Sequence, residues 1–455
     1  MTPTETLEEG VHSFFRRFVL WRRGVVPERY ARMLARFEGL SPAARREESF
    51  RRMQAVVRHA WERVPYYRRA FEGAGFHPDA LRGPADLVRV PILEKADVIP
   101  DPHALCVGRL APGARWDATG GSTGEPLRFV RSLRCDAVTY ANEARTWRWY
   151  GVGPGARQAY VWGADRDVSP DRSASDWRSR LLGIRQLNAF LLDDARCRRF
   201  AEILAEFRPT IVYGYATALA RFAGFLEEQG QRLPEAPRAI RSTAEVLLPE
   251  HRAVVERAFG APLFDYYGSR EVGPIAGEAP GGPGLNVFSD VTYVEIVGED
   301  GRPLPPGEPG DVVVTKLHEY EMPLVRYRIG DRAALLDDGQ EGRGFPRLTP
   351  LEGRVGDFVT GPDGRVIHGE FFTHLFYGVA GVHRFQVVQP EPDRLEIRVA
   401  GDDVDPAALE SIRARSAEHF GGGPDAVTLE RVAEIRPGAS GKHRFVLPYA
   451  TDRSS

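Results

Sequence analysis

The stretch FAEILAEFRPTIVYGYATALARFAGFLEEQG, residues 200–230, constrains the fold more than any other part of the chain. FAEILAEF and ATALARFAGFLEE carry apolar residues at the three- and four-residue spacing of a helix, and TIVYGY between them reads as a short buried strand. Helical and strand segments alternate in this way from a glycine-rich stretch at 119–126 to about residue 275, which favours α/β layers around a partly parallel sheet. Upstream, Met53, Val56, Val57, Ala60, Trp61 and Val64 predict an amphipathic helix within 48–70 that ends near Pro65. The Pro-rich connection RGPADLVRVPILEK follows it. From residue 291, VTYVEIV and DVVVTKL are β-rich runs joined by GEDGRPLPPGEPG, a hairpin-like connection within a β-subdomain. RFQVVQ, LEIRVA, PAALESIRARSAEHF and VTLERV make a small α+β unit after the boundary segment LEGRVGDFV. A chain of 455 residues exceeds what one core organises, so two or three domains are expected: a large one over 1–353 and a small one over 354–455.

An apolar fraction of 42% and a charged fraction of 27% describe a soluble globular protein and exclude disorder and coiled coil as whole-chain states. The net charge is −2 and arginines are interspersed with carboxylates, so no nucleic-acid partner is expected. Cys106, Cys135 and Cys197 lack any paired or metal-ligand spacing and read as reduced thiols. The N-terminus lacks the basic and apolar regions of a secretory signal, and no stretch approaches a membrane span. A cytoplasmic protein without stable membrane insertion is expected. Phe14 to Val26, flanked by arginines, reads as a packed core helix more readily than as a segment lying on a membrane.

The chemistry-bearing segments occur in a fixed order. TGGSTGEP, Thr119 to Pro126, combines glycines that free backbone N–H groups with hydroxyls that can donate to an anion. It lacks the GK[ST] of a P-loop, and alone it reads equally well as a polar turn. Then come STAEVL at 242–247, DYYGSREVG at 265–273, MPLVRYRIGD at 322–331, LEGRVGD at 351–357 and PGASGK at 437–442. This ordered set resembles the adenylate-forming superfamily of acyl-CoA synthetases, adenylation domains and luciferases. AVVRHAWERVPYYRRAFEGAGFHPDALRGPADLVRVPILEKADV, with PTIVYGYATALARFA and GVHRFQVVQ, is similar to the phenylacetate-CoA ligase branch and its coenzyme F390 synthetase and capsule-associated relatives. The likeness spans about residues 48 to 446.

That resemblance implies an α/β fold with a β-subdomain, a large layered N-terminal domain and a small mobile C-terminal domain. It implies a ligase that uses ATP and Mg²⁺ to activate a carboxylic acid as an acyl adenylate and hands the acyl group to CoA. Thr119, Gly121, Ser122, Thr123 and Gly124 would hold the β- and γ-phosphates. Gly120 and Leu127 stand where the family usually has a hydroxyl residue and a lysine, which leaves fewer donors. Ala244 and Glu245 would line the adenine and acyl pocket, Tyr267 with Gly268 would meet the adenine, and Asp331 would accept from both ribose hydroxyls. Glu271 would hold Mg²⁺. Arg270 replaces the family's threonine, and either neutralises the α-phosphate or forms a structural ion pair. Arg354 would reach ribose or phosphate, with Asp357 at the hinge. Lys442, one of only three lysines against many arginines, would bridge the attacking carboxylate and the α-phosphate.

The acid is where the sequence thins out. Tyr140, Trp147, Tyr150, Tyr160, Trp162 and Tyr215 offer an aryl-lined pocket, or simply core. GEAPGGPGLNVF at 277–288 has neither Cys nor His where some relatives carry them, so no structural metal is expected. A carrier-protein thiol, an amine or a hydroxyl receiving AMP remain alternative acceptors, and a non-catalytic nucleotide-binding protein is the reading from another class. The oligomeric state is open.

Overall fold

The structure is a computed structural model that describes residues 3–119, 127–162, 177–188, 192, 194–336, 343–351, 358–376, 379–433, 435, 446–447 and 449. The chain divides into two compact units, one of residues 1–118, 127–156 and 264–353, the other of 119–126, 157–263 and 354–455.

The first unit opens with four helices, α1 (Pro3–Arg22), α2 (Glu28–Glu38), α3 (Pro42–Arg63) and α4 (Pro65–Gly73), followed by a single turn, α5 (Lys95–Val98). The helix expected to end near Pro65 is α3, which ends at Arg63, and α4 starts at Pro65. Ser41 caps α3 by accepting from the Ala44 N–H, with Pro42 in the first helical position. Val64, held extended before Pro65, ends α3, and Pro65 then starts α4. The expectation of a packed core over Phe14 to Val26 also fails: Val25 is buried, while Phe14, Phe18, Val19, Trp21 and Val26 lie exposed.

A hairpin of β1 (Arg115–Ala118) and β2 (Arg128–Arg131) leads to α6 (Leu133–Trp149), capped by Ser132. Arg145 on α6 is fully buried and makes a bidentate pair with the equally buried Asp290, at 2.7 and 3.0 Å. Removing one partner of such a pair would strand the other charge. Strands β7 (Leu263–Ser269), β8 (Gly273–Gly277), β9 (Leu285–Val287) and β13 (Arg347–Leu348) run antiparallel in that order. The two β-rich runs form β10 (Thr292–Val297) and β11 (Gly310–Lys316), antiparallel as expected, with β12 (Tyr327–Ala333) on the far side of β11. One apolar cluster, including Val56, Val57, Phe71, Ile275, Val314, Leu324 and Tyr327, binds α3 and α4 to these strands.

In the second unit, β3 (Gln158–Trp162), β4 (Ile184–Asn188), β5 (Ile211–Tyr215) and β6 (Ala239–Thr243) are all parallel, in the spatial order β6-β5-β3-β4. The short α7 (Trp177–Leu182) precedes β4, α8 (Asp194–Phe207) and α9 (Ala216–Glu228) are crossover elements that parallel strands need, and α10 (Pro249–Phe259) follows β6. The segments FAEILAEF, TIVYGY and ATALARFAGFLEE fall on α8, β5 and α9 as expected. Phe200, Leu204, Leu219, Phe222 and Phe225 close the core under the sheet. Gly214 interrupts the β5 pattern because a β-carbon there would stand 2.5 Å from the Val161 carbonyl oxygen.

The C-terminal part of this unit has its own core. A hairpin of β14 (Phe358–Thr360) and β15 (Val366–His368) precedes α11 (Gly369–Phe376). Strands β16 (Val382–Glu391), β17 (Arg394–Gly401), β18 (Val427–Arg431) and β19 (Val446–Leu447), with α12 (Pro406–Phe420), make a four-stranded sheet in the order β18-β17-β16-β19. Phe372, Phe385, Ile397, Ile412 and Phe420 pack between them.

Candidate active site

In the first unit the motif residues converge on the β7–β8 turn. The β7–β8 register shifts between Tyr267 and Gly268. Gly268 is obligatory there, since a β-carbon would stand 2.6 Å from the Gly273 carbonyl oxygen. Arg270 and Glu271 form the turn itself. On β12, three residues from Ile329 to Asp331 oppose Val312 alone on β11, and Gly330 takes φ +93°. Bulges of this kind re-aim side chains near functional sites. Asp331 accepts a hydrogen bond from the Tyr267 hydroxyl at 2.9 Å, so the expected adenine and ribose residues, 64 apart in sequence, meet directly. One carboxylate oxygen holds Tyr267 while the group retains acceptor capacity for a diol.

Glu271 is 8% exposed. The buried Lys316 ammonium donates to the Glu271 main-chain carbonyl at 2.7 Å, and the Tyr327 hydroxyl lies 3.5 Å from its carboxylate. Both neighbours fix the turn that carries Arg270. Among the described residues no group of three or more His, Cys, Asp or Glu could hold a metal ion alone. A single inward carboxylate fits Mg²⁺ of the kind that takes its other ligands from water and phosphate. Next to Lys316, His318 is buried; its Nε2–H donates to the Asp290 carbonyl at 2.7 Å, and burial pushes its pKa down to about 4. Tyr140, on α6, is partly buried, and burial raises its phenol pKa. Trp147 and Tyr150 are core: Tyr150 stacks on Phe264 at 4.2 Å and donates to the Glu278 carbonyl.

In the second unit the parallel strands reverse direction of progression at β3 and β5, the topological switch point beyond whose C-terminal ends α/β sheets bind ligands. Trp162 ends β3 and Tyr215 ends β5, with ring centroids 4.6 Å apart. Tyr213 packs on Trp162 and Tyr160 at 5.3 Å each, and the buried Arg241 guanidinium lies 4.3 Å from the Tyr213 ring. Tyr160 donates to Gln158 at 2.7 Å, and Tyr215 is buried. Just after β6, Ala244 has φ +68°, a conformation that costs a residue with a β-carbon free energy and that clusters at ligand sites. The Glu245 carboxylate accepts from the Thr217 N–H at 2.7 Å and from its hydroxyl at 2.8 Å, capping the first turn of α9. Thr119 is the described edge of the glycine-rich stretch and is partly buried.

Gly121, Ser122, Thr123, Gly124, Arg354, Asp357 and Lys442 lie outside the described residues. Sequence reasoning passed over Lys316, Tyr327 and Thr217. For Lys316 the signal was its rarity, one lysine of three; Tyr327 and Thr217 lie inside the quoted segments MPLVRYRIGD and PTIVYGYATALARFA, where nothing in the residue type set them apart. All three cysteines are buried free thiols, and burial pushes Cys106 up to about 12.

Residues 187–318 match the AMP-binding enzyme family. The chain is 29% identical over 319 residues to a phenylacetate-coenzyme A ligase of Aromatoleum evansii, covering 68% of this chain and 70% of that one. It is 28% identical to the phenylacetate-coenzyme A ligase of Escherichia coli (strain K12), with the same coverage. Among solved structures, a 2-hydroxyisobutyryl-CoA ligase in complex with 2-HIB-AMP and CoA superposes with a TM-score of 0.62 at 22% identity, over 91% of each chain, which establishes a shared fold. The family match, the relatives and the shared fold make the chain similar to AMP-binding enzymes and to phenylacetate-coenzyme A ligases, in keeping with the direct contact between the motif residues Tyr267 and Asp331.

Proposed function

We propose that the protein activates a carboxylic acid with ATP and transfers the acyl group to CoA, with an aryl acid such as phenylacetate as the leading substrate class. The Tyr267–Asp331 hydrogen bond carries this reading, because it joins a ring for the adenine to a two-oxygen acceptor for the ribose. A substrate carboxylate oxygen attacks the α-phosphorus, a new P–O bond forms, and the bond to the β-phosphate oxygen breaks to release pyrophosphate. The CoA thiol then attacks the acyl carbonyl, forming C–S as the C–O bond to AMP breaks. Its proton leaves to solvent.

Tyr267 and Asp331 orient the nucleoside, Glu271 faces the phosphates, and Arg270 lies beside it in the turn. Mg²⁺, held through Glu271, would neutralise phosphate charge. The TGGSTGEP segment, including Gly121, Ser122, Thr123 and Gly124, would donate to the β- and γ-phosphates. Lys442 would stabilise charge on the attacking and α-phosphate oxygens, and Arg354 would reach the ribose or phosphate. Residues 354–455 would move about Asp357 against residues 1–353 to deliver Lys442 and then withdraw it. The Trp162, Tyr160, Tyr213 and Tyr215 rings suit a flat apolar acid. A cytoplasmic location suits an ATP-using chain with free thiols.

Exchange of labelled pyrophosphate into ATP across a panel of acids tests the first half-reaction, and thioester formation on adding CoA tests the second. Lys442→Ala is expected to lower exchange by about 10²- to 10³-fold while ATP still binds. Normal exchange in that variant removes the lysine's role. Exchange without thioester points to a carrier thiol or an amine, and absence of exchange with every acid points to AMP transfer onto a hydroxyl or to binding alone.

A further inference from the structure

Helix α1 is docked by one side only. His12 donates through Nδ1 to the Gly155 carbonyl at 3.1 Å, and Arg16 donates to the Pro154 and Ala156 carbonyls at 2.8 Å. The approach is close: a β-carbon on Gly155 would stand 1.8 Å from the Glu9 carbonyl oxygen. The opposite side carries Leu7, Val11, Phe14, Phe18 and Trp21, spaced four, three, four and three residues apart. At 100° per residue these fall within an arc of roughly 80°, opposite His12 and Arg16. All are exposed, Leu7 by 70%, Phe14 by 63% and Trp21 by 67%. Their rings form a ladder, Phe14 on Phe18 at 6.4 Å and Phe18 on Trp21 at 6.1 Å.

A narrow stripe with this alternation is the seam of a two-helix coiled coil, whose knobs seat in the holes of another helix. We propose that α1 pairs antiparallel with α1 of a second copy of this chain. Charge selects both occupant and direction. Beside the seam, the first half of the helix bears Glu8 and the second half bears Arg22, with Arg17 held by Glu28 of α2 at 2.9 Å. Antiparallel pairing about a twofold axis sets the acidic half of each copy against the basic half of the other, and parallel pairing sets like against like. An anionic lipid surface would attract only the basic half and repel Glu8. A seam of four turns is small beside a standard interface, so the dimer is concentration-dependent. The proposal is independent of the acid or acceptor used at the active site.

Sedimentation velocity of the full chain over a wide concentration range tests it. A reversible monomer–dimer equilibrium is expected, and Phe14→Glu with Phe18→Glu raises its dissociation constant at least about 100-fold. Arg22→Glu, at an exposed position, weakens the dimer about tenfold, and adding Glu8→Arg restores it. A chain monomeric throughout, or a dimer indifferent to both sets of changes, overturns the proposal. Loss of the dimer without rescue by Glu8→Arg overturns the antiparallel arrangement. A monomer that cosediments with phosphatidylserine vesicles, and loses this with Phe14→Glu and Phe18→Glu, assigns the seam to lipid instead.

Discussion

The two units hold their candidate site residues by different means. In the first, directional polar contacts fix the groups: Tyr267 on Asp331, Lys316 on the Glu271 carbonyl, His318 on the Asp290 carbonyl. In the second, shape dominates: Trp162 against Tyr215, Tyr213 against Tyr160, and a strained Ala244 at the mouth of β6. Hydrogen bonds define distances and protonation states, so the first unit suits an invariant group such as a nucleotide. Rings at strand ends define only a volume, which is what a variable acid requires.

The largest test of this contrast is acid. His318 stays neutral in the folded protein down to a pKa of about 4, whereas unfolded histidine titrates near its ordinary 6.5. Between those values the unfolded chain binds the extra proton, so stability is lost as pH falls from 6.5 towards 4, by about 3 kcal/mol in all. Hydrogen exchange should show β10 to β12 losing protection before β5 and β6, and His318→Gln should flatten the dependence. Earlier loss in β5 and β6 would break the comparison.

A smaller effect separates nucleotide from acid. Tyr267→Phe removes the bond to Asp331 and should weaken ATP binding about tenfold, as expected for a hydrogen bond to a charged group. Trp162→Leu should leave ATP affinity within about twofold and reorder KM among acids. Calorimetry with ATP and a substrate panel decide it, and equal losses of ATP affinity would erase the distinction. Smallest is Glu245→Gln, which weakens the cap on α9 by about 1 kcal/mol and should lower the melting temperature by a few degrees.

Legibility followed the same divide. Tyr267, Glu271 and Asp331 stood out as candidates because specific residue types occur in short, ordered motifs. Their supports did not, since Lys316 and Tyr327 reach Glu271 across 45 and 56 residues. The α8–β5–α9 order was readable from periodicity alone, yet nothing in an alanine announces φ +68°. Periodicity also says that a helix has an apolar face without saying what covers it. On that point the reading of Phe14 to Val26 as core went wrong.

The Glu245–Thr217 contact has an electrostatic consequence. The N-terminus of a helix following a parallel strand carries partial positive charge and is a ready socket for phosphate. On α9 that socket is already filled by a carboxylate of the chain itself, and an incoming triphosphate would be repelled from it. In the proposed function, neutralising the nucleotide would then fall to hydroxyls, Arg270, Lys442 and Mg²⁺, groups that can release pyrophosphate once the reaction is over.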